Sequence, residues 1–194
     1  MISSLPPAAP PALAHHNGRP SVGAPLSRSL RELRTLLSGL TPAQYGARAG
    51  DLFADGTIGG HVRHCLDHAR ALCDAGRNGI VDYDHRTRGT SIETDPAAAG
   101  AEIERLIVLI EGLSTVDPDH PLGVSVMTSR EGESVMLRSS LARELAFVLS
   151  HTIHHNAIIR GIALSQGRAV PDSFGFAPST LAHRDASGGT GCAR

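Results

Sequence analysis

The sequence predicts an all-α fold: a four-helix bundle with a long connection between its second and third helices and a small β-hairpin inserted before the last. Three observations carry this expectation. Four segments repeat apolar residues at the i, i+3, i+4 spacing of a buried helical stripe. Aromatic residues make up only 3% of the chain, with no Trp, so the core must be Leu, Ile, Val and Ala, which favours helix–helix packing. Eleven histidines occur in 194 residues, and six of them (His61, His64, His68, His151, His154 and His155) fall inside two of the helical segments. The length suits one domain with a sizeable core.

The chain divides into a Pro-, Ala- and Ser-rich tail over residues 1–24, a folded domain over 25–182 and a loose Gly- and Ser-rich tail over 183–194. The first tail cannot bury a face, and His15 and His16 read as solvated there. From Pro25 an apolar stripe begins, with Leu26, Leu30, Leu33, Leu36, Leu37 and Leu40, and predicts the first helix. TPAQYGARAGDLFADGT holds three Gly and a Thr-Pro start, and predicts a loop with at most a short helical turn.

The second helix is expected from Thr57 as N-cap to Asn78, with Gly79 as its stop. Ile58, Val62, Cys65, Leu66, Ala69, Leu72 and Cys73 form its stripe. His61, His64 and His68 lie within about 60° of one another on its wheel and flank that stripe. Gly59 and Gly60 each cost helix propensity of roughly 1 kcal/mol, which suggests the close approach of a neighbour. VDYDHRTRGTSIETD is long for a bundle connection and predicts a crossover or a flap, with Asp84, Arg86, Arg88 and Glu93 as pocket walls. Asp95 as N-cap and Pro96 at the first position start the third helix, with Ile103, Leu106, Ile107, Ile110 and Leu113 facing the core.

The period then changes. GVSVMTSREGESVMLRSS alternates β-formers around Arg-Glu-Gly-Glu and predicts the hairpin. The last helix runs from Ser139 or Ser140 to Gln166, with Leu141, Leu145, Val148, Thr152, His155, Ile159 and Ile162 inward. His151 sits beside that stripe and His154 further toward the polar side. Phe174 and Phe176 are expected to cap the bundle.

The bulk numbers exclude several functions. A net charge of −1 gives no electrostatic reason to expect nucleic acid or an anionic membrane. No apolar run reaches the roughly 18 residues of a membrane span. Cys65, Cys73 and Cys192 form no CxxC pair, so a disulfide framework or cysteine zinc site is not expected, and a reducing cytoplasm is. The N-terminal segment has no basic leader and repeats Pro, unlike a secretory signal.

Chemistry concentrates in the histidines. His151 and His155 are four apart and so share one helical face, a two-point clamp for a divalent metal. A third imidazole from the second helix would leave a coordination position open for water or substrate. A His-only donor set fits Zn, Ni, Co, Fe(II) or Mn. Cys65 and Cys73 read as buried small hydrophobes, and Asp67 as a solvent-facing acid that could alternatively orient the ring of His68. A dinuclear iron site is disfavoured, because no Glu-x-x-His occurs and neither histidine helix has a Glu near its histidines.

TIGGHVRHCLDHARAL resembles the second-helix motif of the DinB-like (DinB/YfiT) superfamily, and HTIHHNAII resembles its last-helix His-x-x-x-His motif. The resemblance covers roughly residues 26–180 and leaves out the Pro-rich tail. It implies a four-helix bundle that binds a divalent metal, usually Zn or Ni, through three histidines. Carried over by position, these are His64, the second His of GHVRH, with His151 and His155. His61 and His68 are additional histidines that many members lack, either of which could replace or assist His64. The resemblance also implies a small-molecule substrate, such as a low-molecular-weight thiol of the bacillithiol or mycothiol kind. The metal would lower the pKa of that thiol, or of water, in a thiol S-transferase or a hydrolase. A non-catalytic metal-binding module for stress response or interaction is the alternative, and a homodimer is the oligomer to look for.

Overall fold

The computed structural model describes residues 22–53, 55–84 and 89–187, the side chains of 52 and 76–78 excepted. Most of the tail expected over 1–24, with His15 and His16, lies outside them, as do Arg86 and Arg88. Helix α1 (Gly23–Leu37) begins two residues ahead of the expected boundary and buries Leu26, Leu30, Leu33, Leu36 and Leu37. Helix α2 (Pro42–Gly46) occupies the expected loop. It forms because Thr41 and Gln44 make a capping box: Thr41 Oγ1 accepts from the Gln44 amide at 3.3 Å, and Gln44 Oε1 accepts from the Thr41 amide at 3.0 Å.

Helix α3 (Ile58–Asn78) has the predicted ends: Thr57 Oγ1 accepts from the Gly60 amide at 2.9 Å, and Gly79 closes it at φ 70°. Gly59 is where a neighbour approaches. A Cβ there would lie 2.1 Å from the Glu93 carbonyl oxygen and 2.8 Å from the Tyr45 ring. The connection after α3 therefore folds back onto the start of that helix through a 3₁₀ turn, Ser91–Glu93. Before that turn it contributes a short strand, β1 (Ile80–Asp82).

Helix α4 (Pro96–Gly112) starts as predicted, the Asp95 carboxylate accepting from the Ala97 amide at 2.9 Å. Ile103, Leu106, Ile107 and Ile110 are buried, and Leu113 packs partly buried against the core. The hairpin consists of β2 (Pro121–Met127) and β3 (Ser134–Ser140), antiparallel with Val124 opposite Leu137 and Val126 opposite Val135. Strand β1 adds to it in parallel, in the order β1-β2-β3. At three residues β1 is too short for its period to show in the sequence.

Helix α5 (Leu141–Ser165) buries the whole expected stripe, and also Glu144 and Asn156. Helix α6 (Pro178–Ala186) continues past the boundary placed at 182, with Pro178 at its first turn. Helix α1 packs against α4 and α5, and α3 packs against the same two, enclosing the aliphatic core. Phe174 is buried, whereas Phe176 lies half-buried between the guanidinium groups of Arg160 and Arg184. The chain is thus mostly helical with a small three-stranded sheet. No helix among the described residues is long and apolar enough to cross a membrane.

Candidate metal centre

Helices α3 and α5 bring their histidines together. His61 meets His155 with ring centroids 5.2 Å apart, His64 lies 4.8 Å from His151 and 4.7 Å from His155, and His68 stacks on His151 at 3.9 Å. Residue numbers rise along α3 as they fall along α5, so the two helices run antiparallel and the imidazoles form rungs between them. The expected set of His64, His151 and His155 sits at the middle, with His151 and His155 4.5 Å apart. His154 is exposed and touches only the edge of this cluster, at 5.1 Å from His155.

The donor chemistry fits a divalent ion. Among the described residues, one ligating atom each from His64, His68 and His151 lie within 4.8 Å of one another. A tetrahedral ion with bonds of about 2.0–2.1 Å needs its nitrogens roughly 3.4 Å apart. His68 Nδ1 lies 3.0 Å from the His64 backbone carbonyl. A carbonyl only accepts, so Nδ1 donates and Nε2 is left as the lone-pair atom of the neutral ring. His61 Nδ1 and His155 Nδ1 lie 3.0 Å apart, a contact that requires one to donate and the other to accept. His61 Nε2 is buried and has no hydrogen-bond partner.

Electrostatics favour the neutral form of two of these rings, His155 and His61. Burial, and then the neighbouring imidazoles led by His151, push the His155 pKa down to about 3. Burial lowers that of His61 too, with His154 adding to it. Neutral rings are the form that binds metals, since protonation removes the lone pair.

Two expectations about neighbours need correction. Asp67 is buried, not solvent-facing. It accepts from Arg63 at 2.9 Å and Arg70 at 3.0 Å, because those cations flank it one turn away on α3. Arg70 continues to Glu102, whose own burial is outweighed by Arg105 and Arg70, so its pKa is lowered. Glu93, expected as a pocket wall, pairs with Arg63 at 3.4 Å and accepts from the Gly89 amide. Cys65 is buried as expected, and burial raises its thiol pKa; Cys73 is pushed up to about 12, first by burial and then by Asp74. Neither is a ready thiolate.

Beside His68 lies a cavity of about 340 Å³ between the sheet and α5, reached by Asp84 as expected. Asp84 accepts there from the Met127 amide at 2.7 Å. The Tyr83 ring stacks on His68 at 5.0 Å, and Phe147 lies 5.0 Å from Tyr83. The Tyr83 hydroxyl donates to Glu144 Oε2 at 2.8 Å and Ser139 Oγ donates to Oε1, so this buried carboxylate is held from both sides. Burial raises the Tyr83 pKa, and the bond to Glu144 adds to the shift. Sequence reasoning missed Tyr83, Glu144 and Phe147. A signal existed: Glu144, Phe147, His151 and His155 recur at i, i+3, i+7 and i+11, one continuous helical face.

Comparison with known proteins completes the picture. A stretch of 105 residues, 54% of this chain, is 37% identical to part of FK506-binding protein 5 of Rhizopus delemar, of whose length the match spans 27%. No solved structure matches. The family model of the DinB superfamily matches residues 26–159, which include both histidine helices except the end of α5 after Ile159. The chain belongs to the DinB superfamily.

Proposed function

We propose that the chain is a four-helix-bundle metalloenzyme of the cytoplasm, holding a divalent ion through His64, His151 and His155 and activating a thiol or water toward a small-molecule substrate. Zn and Ni are the first choices, with Fe, Mn or Co as alternatives. The observation that carries this reading is the convergence of imidazoles from two helices beside a cavity. A bound ion supplies Lewis acidity, which lowers the pKa of a thiol or water placed against it. The chain's own residues supply the rest. Neutral His155 offers a lone pair at physiological pH. Tyr83 and Phe147 wall the cavity and exclude water from that side, and Tyr83 braces His68 by stacking. The free thiols of Cys65 and Cys73 accord with a reducing compartment.

A second reading has its own support. Because the ligating atoms of His64, His68 and His151 lie within 4.8 Å of one another, His68 can act as the third or a fourth ligand. A fourth protein ligand would close the site and make it a non-catalytic metal module. Metal analysis of untagged protein decides between them. His155→Ala losing the ion while His68→Ala keeps it supports the first assignment, and the reverse overturns it. Cobalt-loaded protein titrated with 2-mercaptoethanol should develop a sulfur-to-metal charge-transfer band; a spectrum untouched by the thiol sinks the thiol-activating form of the reading.

A further inference from the structure

Helix α5 turns two sides inward. His151 and His155 lie on the side that meets α3. The residue after each of them, Thr152 and Asn156, lies about 100° further round the helix and is buried. Asn156 faces α1: it is 1% exposed, and its Nδ2 donates to Ser29 Oγ at 3.1 Å. Among the described residues this is the side-chain hydrogen bond that joins α1 to α5. Thr152 shares the side of Asn156 one turn earlier.

This polar contact is poorly arranged for stability. Asn156 Oδ1 and Thr152 Oγ1 on α5, and Ser27 Oγ on α1, are buried and find no hydrogen-bond partner in the chain. Buried polar atoms left unpaired cost more than apolar groups of the same shape. What a polar pair adds is position. An apolar contact tolerates a slide of one helix along another by about 1 Å, whereas a hydrogen bond stretched that far is lost. A single buried Asn sets the register of coiled coils for this reason. Register matters at the next residue. Metal–nitrogen bonds hold to within about 0.2 Å of their set lengths. A slide of α5 carries His151 and His155 together, while His64 stays with α3.

We propose that Asn156 and Ser29 are positioning residues of the metal centre: their bond sets the height and rotation of α5 at which the His151–His155 clamp meets the histidines of α3. Neither residue touches the ion; both act through the helix that carries two of its ligands. The inference rests on the reading of the imidazole cluster as a metal centre.

The test compares the full chain with Ser29→Ala/Asn156→Leu, Ser29→Ala and Thr152→Val. Four quantities are read: zinc affinity by competition with a chromophoric chelator, the visible spectrum of cobalt-loaded protein, the urea midpoint of metal-free protein, and its imidazole nitrogen resonances by NMR. The double variant exchanges the polar pair for an apolar one, so its urea midpoint should equal or exceed the parent's. Its zinc affinity should nevertheless fall about tenfold, the loss typical of groups that orient ligands from behind, with a changed cobalt spectrum and moved His151 and His155 resonances. Ser29→Ala removes one partner without adding volume and should weaken zinc in the same direction. Thr152→Val deletes an unpartnered hydroxyl on the same side of α5 and should leave zinc affinity unchanged. Parent affinity in both Ser29 variants, an equal loss in Thr152→Val, or affinity that simply follows the urea midpoint through the series overturns the proposal. If the larger side chain keeps the double variant from folding, the cobalt spectrum and resonances of Ser29→Ala decide. A parent that takes up no metal overturns the metal reading, and the imidazole resonances then decide this one: resonances that move in the Ser29 variants and not in Thr152→Val uphold the positioning, and unmoved resonances overturn it.

Discussion

Replacing Gly59 by alanine places a methyl group where the structure has no room for one. An added Cβ would sit 2.1 Å from the Glu93 carbonyl oxygen, against 3.4 Å for ordinary contact, so something must move by about 1.3 Å. The obstacle is backbone, and on the other side the Tyr45 ring stands at 2.8 Å. Neither is the free end of a flexible side chain. Tyr45 is buried, and its hydroxyl is fixed by the Ile92 carbonyl at 2.7 Å, so moving the turn also strains that bond. Overpacking costs about 1–3 kcal/mol and a compromised buried hydrogen bond about 1 kcal/mol more. Alanine returns about 1 kcal/mol of helix propensity. The net expectation is a loss of about 1–3 kcal/mol, or a fall of roughly 3–10 °C in Tm at this size. Gly60→Ala is the internal control, because its Cβ would meet only Thr57 Oγ1, at 3.2 Å. It should change stability by less than about 1 kcal/mol. Urea unfolding followed by circular dichroism measures both. A Gly59→Ala variant as stable as the parent, or a reversed ranking of the two, refutes the close packing of the turn on α3.

Three further outcomes are expected. Glu144→Leu strands the Tyr83 and Ser139 hydroxyls and should cost about 1–3 kcal/mol, with Glu144→Gln milder; equal losses in urea unfolding would deny the two-sided hydrogen bonding. In metal-free protein, the unfolded chain takes up a proton at His155 as pH falls below 6.5, whereas the folded chain resists until about 3. Stability from this group is therefore complete above pH 6.5 and is lost as pH falls toward 3, so the urea midpoint should drop between those values in excess EDTA, less so in His155→Gln. Asp67→Asn should lower stability by about 1–3 kcal/mol, because Arg63 and Arg70 lose their shared anion, yet leave metal content unchanged; loss of metal would make Asp67 an orienting group after all.

Much of the helical framework was legible because its signals are local. Thr57, Gly79, Asp95 and Pro96 mark helix ends by chemistry acting within one turn, and the structure ends α3 and starts α4 at those residues. The Gly59-Gly60 pair announced a close neighbour, but only the fold identifies it as the Glu93 carbonyl and assigns it to one glycine of the two. The parallel pairing of β1 with β2 was hidden for a different reason. Parallel partners are distant in sequence, and a three-residue strand carries too little pattern to reveal them.

The choice of metal ligands shows where local reasoning stops. Spacings of three, four and seven put His61, His64 and His68 on one face of α3, and the wheel sets His64 further from the apolar centre than His61 although the motif points to His64. Ranking requires the partner helix, and antiparallel packing answers in an unexpected way. Each α3 histidine meets a different part of α5: His61 faces His155, His68 faces His151, and His64 touches both. Of the three, His64 has its ring within 4.8 Å of both clamp rings, while the ligating atoms that converge within 4.8 Å are those of His64, His68 and His151. His68 converges with His64 and His151, and its Nδ1 is occupied by the His64 carbonyl, which readies Nε2 for a metal. If His64→Ala abolishes metal binding while His61→Ala and His68→Ala each retain it, the central position of His64 decides ligation. If His61→Ala abolishes it and His64→Ala does not, the motif and the geometry have both been misassigned.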